Sequence, residues 1–258
     1  MKPTFVFPPT EYPSYMDLVR LVAMAGCEMV APPQVHLDDP ARVYIFTGPE
    51  GIPDCTSAQA HTIFWQMEYE GDYADQPHRL TCDELWGSDP GWCARNGAKY
   101  VLLGSNPGLS MADEKRISAY DVTMLAYMTP RRQAIRERLG HLRWPENYPG
   151  HNSLRRHQVL LSVELMLHVH QHESATPVLA PLRLALAAAY RLPVICEDVA
   201  DRGPYDGAMT WWAAYADIPC TVEGFLREPV ETGAYRGGLT DLLCYEMPFK
   251  KCVEEALA

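Results

Sequence analysis

No stretch of this 258-residue chain comes near the roughly 18 unbroken apolar residues of a membrane-spanning helix. The opening Met1-Lys2-Pro3-Thr4-Phe5 carries no apolar core of a secretory signal, so a cytoplasmic location is expected, the host cytoplasm for a phage-encoded chain. The eight cysteines, at 27, 55, 82, 93, 196, 220, 244 and 252, form no CxxC pair and follow no regular spacing. That argues against a zinc knuckle and against a disulfide scaffold, and reduced, mostly buried thiols are expected. GxSxG, P-loop, HExxH and GxGxxG signatures are all missing, which leaves hydrolase, kinase and simple dinucleotide readings without a motif. No internal repeat or low-complexity tract is present.

What remains is an ordinary globular composition, 47% apolar and 21% charged, long enough for one large or two modest α/β domains. The net charge of −11 is unevenly spread. Residues 1–114 hold 6 Lys/Arg against 16 Asp/Glu, and residues 161–258 hold 7 against 14. Between them, residues 115–160 hold 9 against 3, including Arg131, Arg132, Arg136, Arg138, Arg143, Arg155 and Arg156. This basic island reads either as a solvated helix face or as a site for a diphosphate or a nucleic-acid backbone.

Short β-branched and aromatic runs alternate with helical periods, which predicts parallel βαβ units. In the N-terminal half, strands are expected at Thr4–Phe7, Glu28–Ala31, Arg42–Thr47, His61–Gln66, Glu84–Gly87 and Lys99–Leu103. Helices are expected at Tyr15–Ala25, buried through Leu18, Val19, Val22 and Ala25, and at Pro90–Asn96. Gly104-Ser105-Asn106-Pro107-Gly108 is the strongest break signal. It divides the chain into domains 1–108 and 109–246, with a C-terminal helix in 247–258. The second half predicts strands Val122–Tyr127, Leu165–His170 and Pro193–Glu197. Its helices fall at Pro130–Leu139, Ser153–Leu161 and Val178–Arg191, the last buried through Leu179, Leu182, Leu186 and Ala189.

Open α/β sheets bind ligands beyond the carboxyl ends of their strands, so the residues following each strand carry the functional signal. Met128-Thr129-Pro130-Arg131-Arg132 opens a helix, and two arginines beside a helix N-terminus suit a diphosphate. The alternative places both arginines as exposed first-turn residues. His168, His170 and His172 share one face of an extended strand, and read as phosphate or sugar partners, as structural histidines or as metal ligands. Glu197-Asp198 ends a strand where ribose hydroxyls would be held, or serves as a surface carboxylate. Arg183, inside the apolar run LAPLRLALAAAY, reads as a buried cation in need of an anion. In the first half, Gln66, Glu68 and Glu50 follow strands, and a carboxylate there reads either as a general base on an acceptor hydroxyl, Glu68 being the candidate, or as a solvated loop carboxylate.

Two passages carry a family resemblance. His61–Leu109 (HTIFWQMEYEGDY…DELWGSDPGWCARNGAKYVLLGSNPGL) and Met124–Glu197 (MLAYMTPRRQAIRERL…LMLHVHQHE…LRLALAAAYRLPVICED) resemble, in order and spacing, CgeB-like and related bacterial glycosyltransferases. The chain departs from that pattern at His168, where Asn is usual. The resemblance implies a GT-B fold, two facing Rossmann-like domains with a parallel sheet in each and a cleft between them. It implies a nucleotide-sugar donor, a UDP-sugar first among them, and no cofactor or metal. Arg131 and Arg132 would lie at the donor phosphates, with Thr129 at the helix start, and His170 beside the diphosphate or sugar. Arg183 would lie near the donor, Glu197 and Asp198 at the ribose, and Gln66, Glu50 and the base Glu68 on the acceptor side. The acceptor would be a hydroxymethylated base in DNA or a glycan precursor, with a homo-oligomer completing a short N-terminal domain. Two other readings stand beside it: a metal-dependent hydrolase on His168, His170 and His172, and a non-catalytic nucleotide-sugar-binding protein.

Overall fold

A computed structural model describes residues 3–7, 13–47, 52–67, 81–104, 117–146, 153–173, 179–208, 211–227, 242–243 and 249–258. The chain forms two compact units, Met1–Leu103 with Phe249–Ala258, and Gly104–Pro248. Each is built on a wholly parallel sheet, as the alternation of apolar strands and helices predicts. No helix among the described residues is long and apolar enough to cross a membrane.

In the first unit, β1 (Pro3–Val6), β2 (Glu28–Val30), β3 (Val43–Phe46), β4 (His61–Gln66), β5 (Glu84–Gly87) and β6 (Lys99–Tyr100) pair in the order β2-β1-β3-β4-β5-β6. The order reverses between β1 and β3, as in doubly wound α/β sheets. Helix α1 (Pro13–Met24) buries Leu18, Leu21 and Val22. Its inward face is thus turned slightly from the expected one, with Leu21 in place of Val19. Helix α2 (Pro90–Asn96) is started by Asp89, whose carboxylate accepts the Trp92 N–H at 2.5 Å, and is stopped by Gly97 in the left-handed region at φ 63°. Gly87 permits the close approach of α2 to β5, since a Cβ there would lie 2.7 Å from Cys93 Sγ.

The core of this unit is aromatic. Trp65 and Trp86 meet edge to face with centroids 6.2 Å apart, and Phe249 stacks on Trp65 at 5.9 Å. Phe249 opens α7 (Phe249–Leu257), so the last helix of the chain packs into the first unit.

In the second unit, β7 (Tyr120–Thr123), β8 (Val163–His168), β9 (Val194–Glu197) and β10 (Trp211–Ala213) pair in the order β10-β9-β8-β7. Helices α3 (Pro130–Arg138), α4 (Ser153–Ser162), α5 (Pro181–Ala189) and α6 (Ile218–Arg227) accompany them. Strand β7 stops at Thr123 and β8 at His168, both short of the expected ends, and α4 runs directly into β8. Helix α5 buries Leu184, Ala185, Ala187, Ala188 and Ala189, while Leu182 and Leu186 are only half-buried. Its face is therefore rotated from the one expected. Strand β10 and helix α6 had no counterpart in the expected elements. Yet Ile218, Val222, Phe225 and Leu226 recur at helical spacing, and all four contribute to the core over Val122, Leu165, Leu167 and Ile195.

Candidate functional site

The second unit gathers polar groups at the carboxyl ends of β8 and β9. Helix α3 arrives there by its N-terminus. Thr129 is the N-cap, its Oγ1 accepting the Arg132 N–H at 3.4 Å, and Pro130 fills the first helical position. The Thr129 hydroxyl donates in turn to the Gln171 carbonyl at 3.2 Å. One side chain therefore ties the helix start to the loop that follows β8.

The two arginines tighten the same joint. Arg132 is 2% exposed. Its Nε donates to the Val169 carbonyl and its Nη1 to the Tyr127 carbonyl, both at 2.9 Å. Arg131 donates through Nη1 to the His170 carbonyl at 3.3 Å and to Glu197 Oε2 at 2.5 Å, while its Nη2 meets Glu197 Oε1. The Glu197 hydrogen bond holds the Arg131 guanidinium above its ordinary, already permanent, basicity. Glu197, on the last residue of β9, also accepts the His170 N–H at 2.9 Å. Neither arginine is the exposed first-turn residue of the alternative reading, because the 169–171 loop and β9 close over them.

Tyr215 completes the arrangement from the turn after β10. Its ring lies under the Arg131 guanidinium, 3.8 Å from centroid to carbon, and its hydroxyl donates to the Arg131 carbonyl at 2.8 Å. The sequence carried a usable signal for it, a Trp-Trp-Ala-Ala-Tyr run directly ahead of the α6 periodicity.

His168 and His170 are buried side by side, with ring centroids 5.2 Å apart at 80°. Neither ring nitrogen of His168 has a hydrogen-bond partner. Burial, the Arg183 charge, His170 and the Arg132 charge hold its pKa well below the ordinary histidine range, so it is neutral at neutral pH. His172 is exposed after the chain bends at residues 171–172, so the three histidines do not share one face. Among the described residues, no group of three or more His, Cys, Asp or Glu side chains is arranged to hold a metal ion.

Arg183 is half-buried, not enclosed in the core as its apolar surroundings suggested, and its charge reaches His168. The rotation of α5 is the reason. Asp198, one residue past Glu197, turns away to Arg202, whose Nε donates to Oδ1 at 2.9 Å, and this holds its carboxyl below the usual range. Gln66 sits at the carboxyl end of β4 in the first unit and is 2% exposed. Glu50 and Glu68 lie outside the described residues.

The described arginines of the basic island make several contacts within the second unit. Besides Arg131 and Arg132, Arg143 pairs with Asp121, Arg136 lies over Trp144 at 5.5 Å, and Arg138 donates to the Ala216 carbonyl at 3.0 Å. Arg156 is buried, and Arg155 is exposed. The run of positive charge thus divides between arginines held at the β8–β9 end, Arg131 and Arg132, and exposed ones, Arg138, Arg143 and Arg155.

No family model and no curated protein matches the chain. Among solved structures it is similar to AviGT4, a glycosyltransferase involved in avilamycin A biosynthesis. The identity is 13%, covering 100% of this chain and 97% of that one, with a TM-score of 0.62. It also matches T4 phage BGT in complex with UDP and Mn2+, at 11% identity, 99% and 97% coverage and a TM-score of 0.48. A third match is the N-terminal domain of Candida albicans trehalose-6-phosphate phosphatase, at 9% identity, 85% and 70% coverage and a TM-score of 0.49. Of these three, AviGT4 superposes closely enough to establish a shared fold. That fold is α/β of the GT-B kind, two Rossmann-like units with a parallel sheet in each.

Proposed function

We propose that the chain is a glycosyltransferase that moves a sugar from a nucleotide-sugar donor to an acceptor hydroxyl, with the donor held by the second unit. The observation that carries this reading is the convergence of Thr129, Arg131, Arg132, His168, His170 and Glu197 beyond the carboxyl ends of β8 and β9. Such a strand end, with a helix N-terminus directed at it, is where α/β folds bind phosphate groups. Within GT-B enzymes, membership of the CgeB-like group is part of the proposal and rests on the Met124–Glu197 pattern.

Chemically, transfer breaks the bond between the sugar and the distal phosphate, and negative charge develops on the departing diphosphate. Arg131, Arg132, Arg183 and the first turn of α3 supply positive charge in place before the reaction, which is worth most where no reorganisation is needed. With this much fixed charge, the reaction proceeds without a divalent ion in the proposed scheme. Arg131 keeps its pairing with Glu197 and Tyr215 and so is held in one orientation. A carboxylate has about four acceptor sites. Glu197 fills three of them with the two Arg131 donors and the His170 N–H, which leaves Oε1 capacity for one ribose hydroxyl. Glu68 remains the proposed base.

A neutral hydroxyl acceptor such as a glycan precursor is favoured over DNA, because the chain carries a net charge of −11. A DNA acceptor would instead show association that weakens steeply with salt.

Calorimetric titration with UDP-, GDP-, CDP- and ADP-sugars, with and without EDTA, tests the reading, UDP-sugars first. Binding of one nucleotide-sugar, unchanged by EDTA and at least about tenfold weaker in Arg183→Ala, is expected from removal of one charge-assisted contact. Arg183 is half-buried outside the Arg131–Glu197 joint, so its removal leaves that joint intact. No binding by the folded protein would refute the donor site. Binding without transfer or hydrolysis would leave a binding protein in place of an enzyme.

A further inference from the structure

Away from the proposed donor site, two cysteines meet in the first unit. Residues 52–60 lead into β4 and residues 81–83 into β5, and where the two segments touch, Cys82 Sγ lies 3.9 Å from Cys55 Sγ. The backbone on both sides is fastened. The Cys55 N–H donates to Thr81 Oγ1 at 2.9 Å, one residue ahead of Cys82. The Thr62 N–H and hydroxyl donate to Asp83 Oδ2 at 2.8 and 3.0 Å, and the Asp83 N–H returns to Thr62 Oγ1 at 3.1 Å. Cys55 is buried and Cys82 half-buried, against an apolar floor of Ile52, Ala60, Phe64 and Leu85.

We propose that Cys55 and Cys82 are a reversible dithiol–disulfide pair, oxidised by a hydroperoxide small enough to reach a nearly enclosed sulfur. A disulfide needs its sulfurs at about 2.05 Å. Side-chain rotation supplies the remaining approach, because the two backbones are already held together. The Cys82 S–H donates to the Cys55 sulfur, which eases formation of the Cys55 thiolate and keeps the proton on Cys82. The thiolate attacks the hydroperoxide: an S–O bond forms, the O–O bond breaks, and the alkoxide leaves and is protonated by the proton lost from Cys55. The Cys82 sulfur then attacks Cys55. The S–S bond forms, the S–O bond breaks, and hydroxide departs with the Cys82 proton as water. Two thiols and one hydroperoxide thus give one disulfide, one alcohol and one water.

Cys93 and Cys196 are poorer candidates. Burial pushes Cys93 up to about 12 and raises Cys196 well above the ordinary thiol range, so neither forms thiolate readily at neutral pH. The pair lies at the amino ends of β4 and β5, whereas ligands of α/β sheets bind beyond the carboxyl ends. Its oxidation therefore staples the first unit and stands independently of the sugar-transfer reading.

The test treats the native protein with hydrogen peroxide, alkylates the remaining thiols and maps the peptides by mass spectrometry. The expected result is loss of two of the eight thiols, a Cys55–Cys82 cross-linked peptide, and its reversal by dithiothreitol. In folded Cys82→Ser, Cys55 is expected to stop at a dimedone-reactive sulfenic acid. Eight thiols remaining in folded wild-type protein, or cross-links among other cysteines in place of this one, would overturn the proposal.

Discussion

Arg132 holds two backbone carbonyls with a charged side chain that almost no solvent reaches, and Arg131 beside it is held by Glu197 and Tyr215. Such residues set the shape of the joint as well as its potential. His168, near the charges of Arg183 and Arg132, stays neutral because burial disfavours its charged form and protonation would add a third positive charge there. Its folded pKa lies below the ordinary value near 6.5. The unfolded chain therefore takes up the proton first, and stability falls as pH drops below about 6.5, with a slope of at most about 1.4 kcal/mol per pH unit for one proton. Asp121 and Asp198 have lowered pKa values and lose their contribution only at more acidic pH, as they too become protonated. Urea-unfolding midpoints between pH 7.5 and 5 are expected to decline in the wild type and to flatten in His168→Asn. An unchanged slope in the variant would show that another group sets it.

At the scale of the element, α3 depends on its N-cap. Thr129 caps the helix and reaches the Gln171 carbonyl, so it links two parts of the site with one hydroxyl. Thr129→Ala is expected to cost about 0.5–2 kcal/mol of stability, read from the urea midpoint. The same change is expected to weaken nucleotide-sugar binding, because the helix start and the 169–171 loop lose a shared anchor. Thr129→Ser keeps the hydroxyl and should recover both. Loss of stability with unaltered binding would separate the cap from the site.

For the whole molecule, the chain begins and ends in the first unit. Phe249 is 1% exposed between Phe5 and Trp65, with centroids at 5.9 Å from each. Residues remote in sequence thus share one aromatic core. Phe249→Ala is expected to destabilise the protein by about 3–5 kcal/mol, since the cavity is walled by large rings that cannot collapse into it. Equilibrium unfolding followed by tryptophan fluorescence would report it, because Trp65 loses its stacked neighbour. A change below about 1 kcal/mol would mean that α7 contributes little to this core.

Most of the strands and helices were legible in the amino-acid order because they depend on local terms: apolar alternation, helical period, and breaks at glycine and proline. His61–Gln66, Glu84–Gly87 and Pro90–Asn96 have the bounds that those terms predict. The parallel arrangement of the sheets follows from the same alternation. Strand β10 is three residues long, too short for periodicity to reveal, and it is held as a strand by pairing to β9. Which face of α5 turns inward, and hence where Arg183 lies, was settled by tertiary packing, which buries Leu184 and four alanines and leaves Leu182 and Leu186 half-buried. The pairing of Arg131 with Glu197, across 66 positions, and the division of the basic island between held and exposed arginines were likewise settled in three dimensions. Composition counts charges, but only the folded chain brings each charge to its partner.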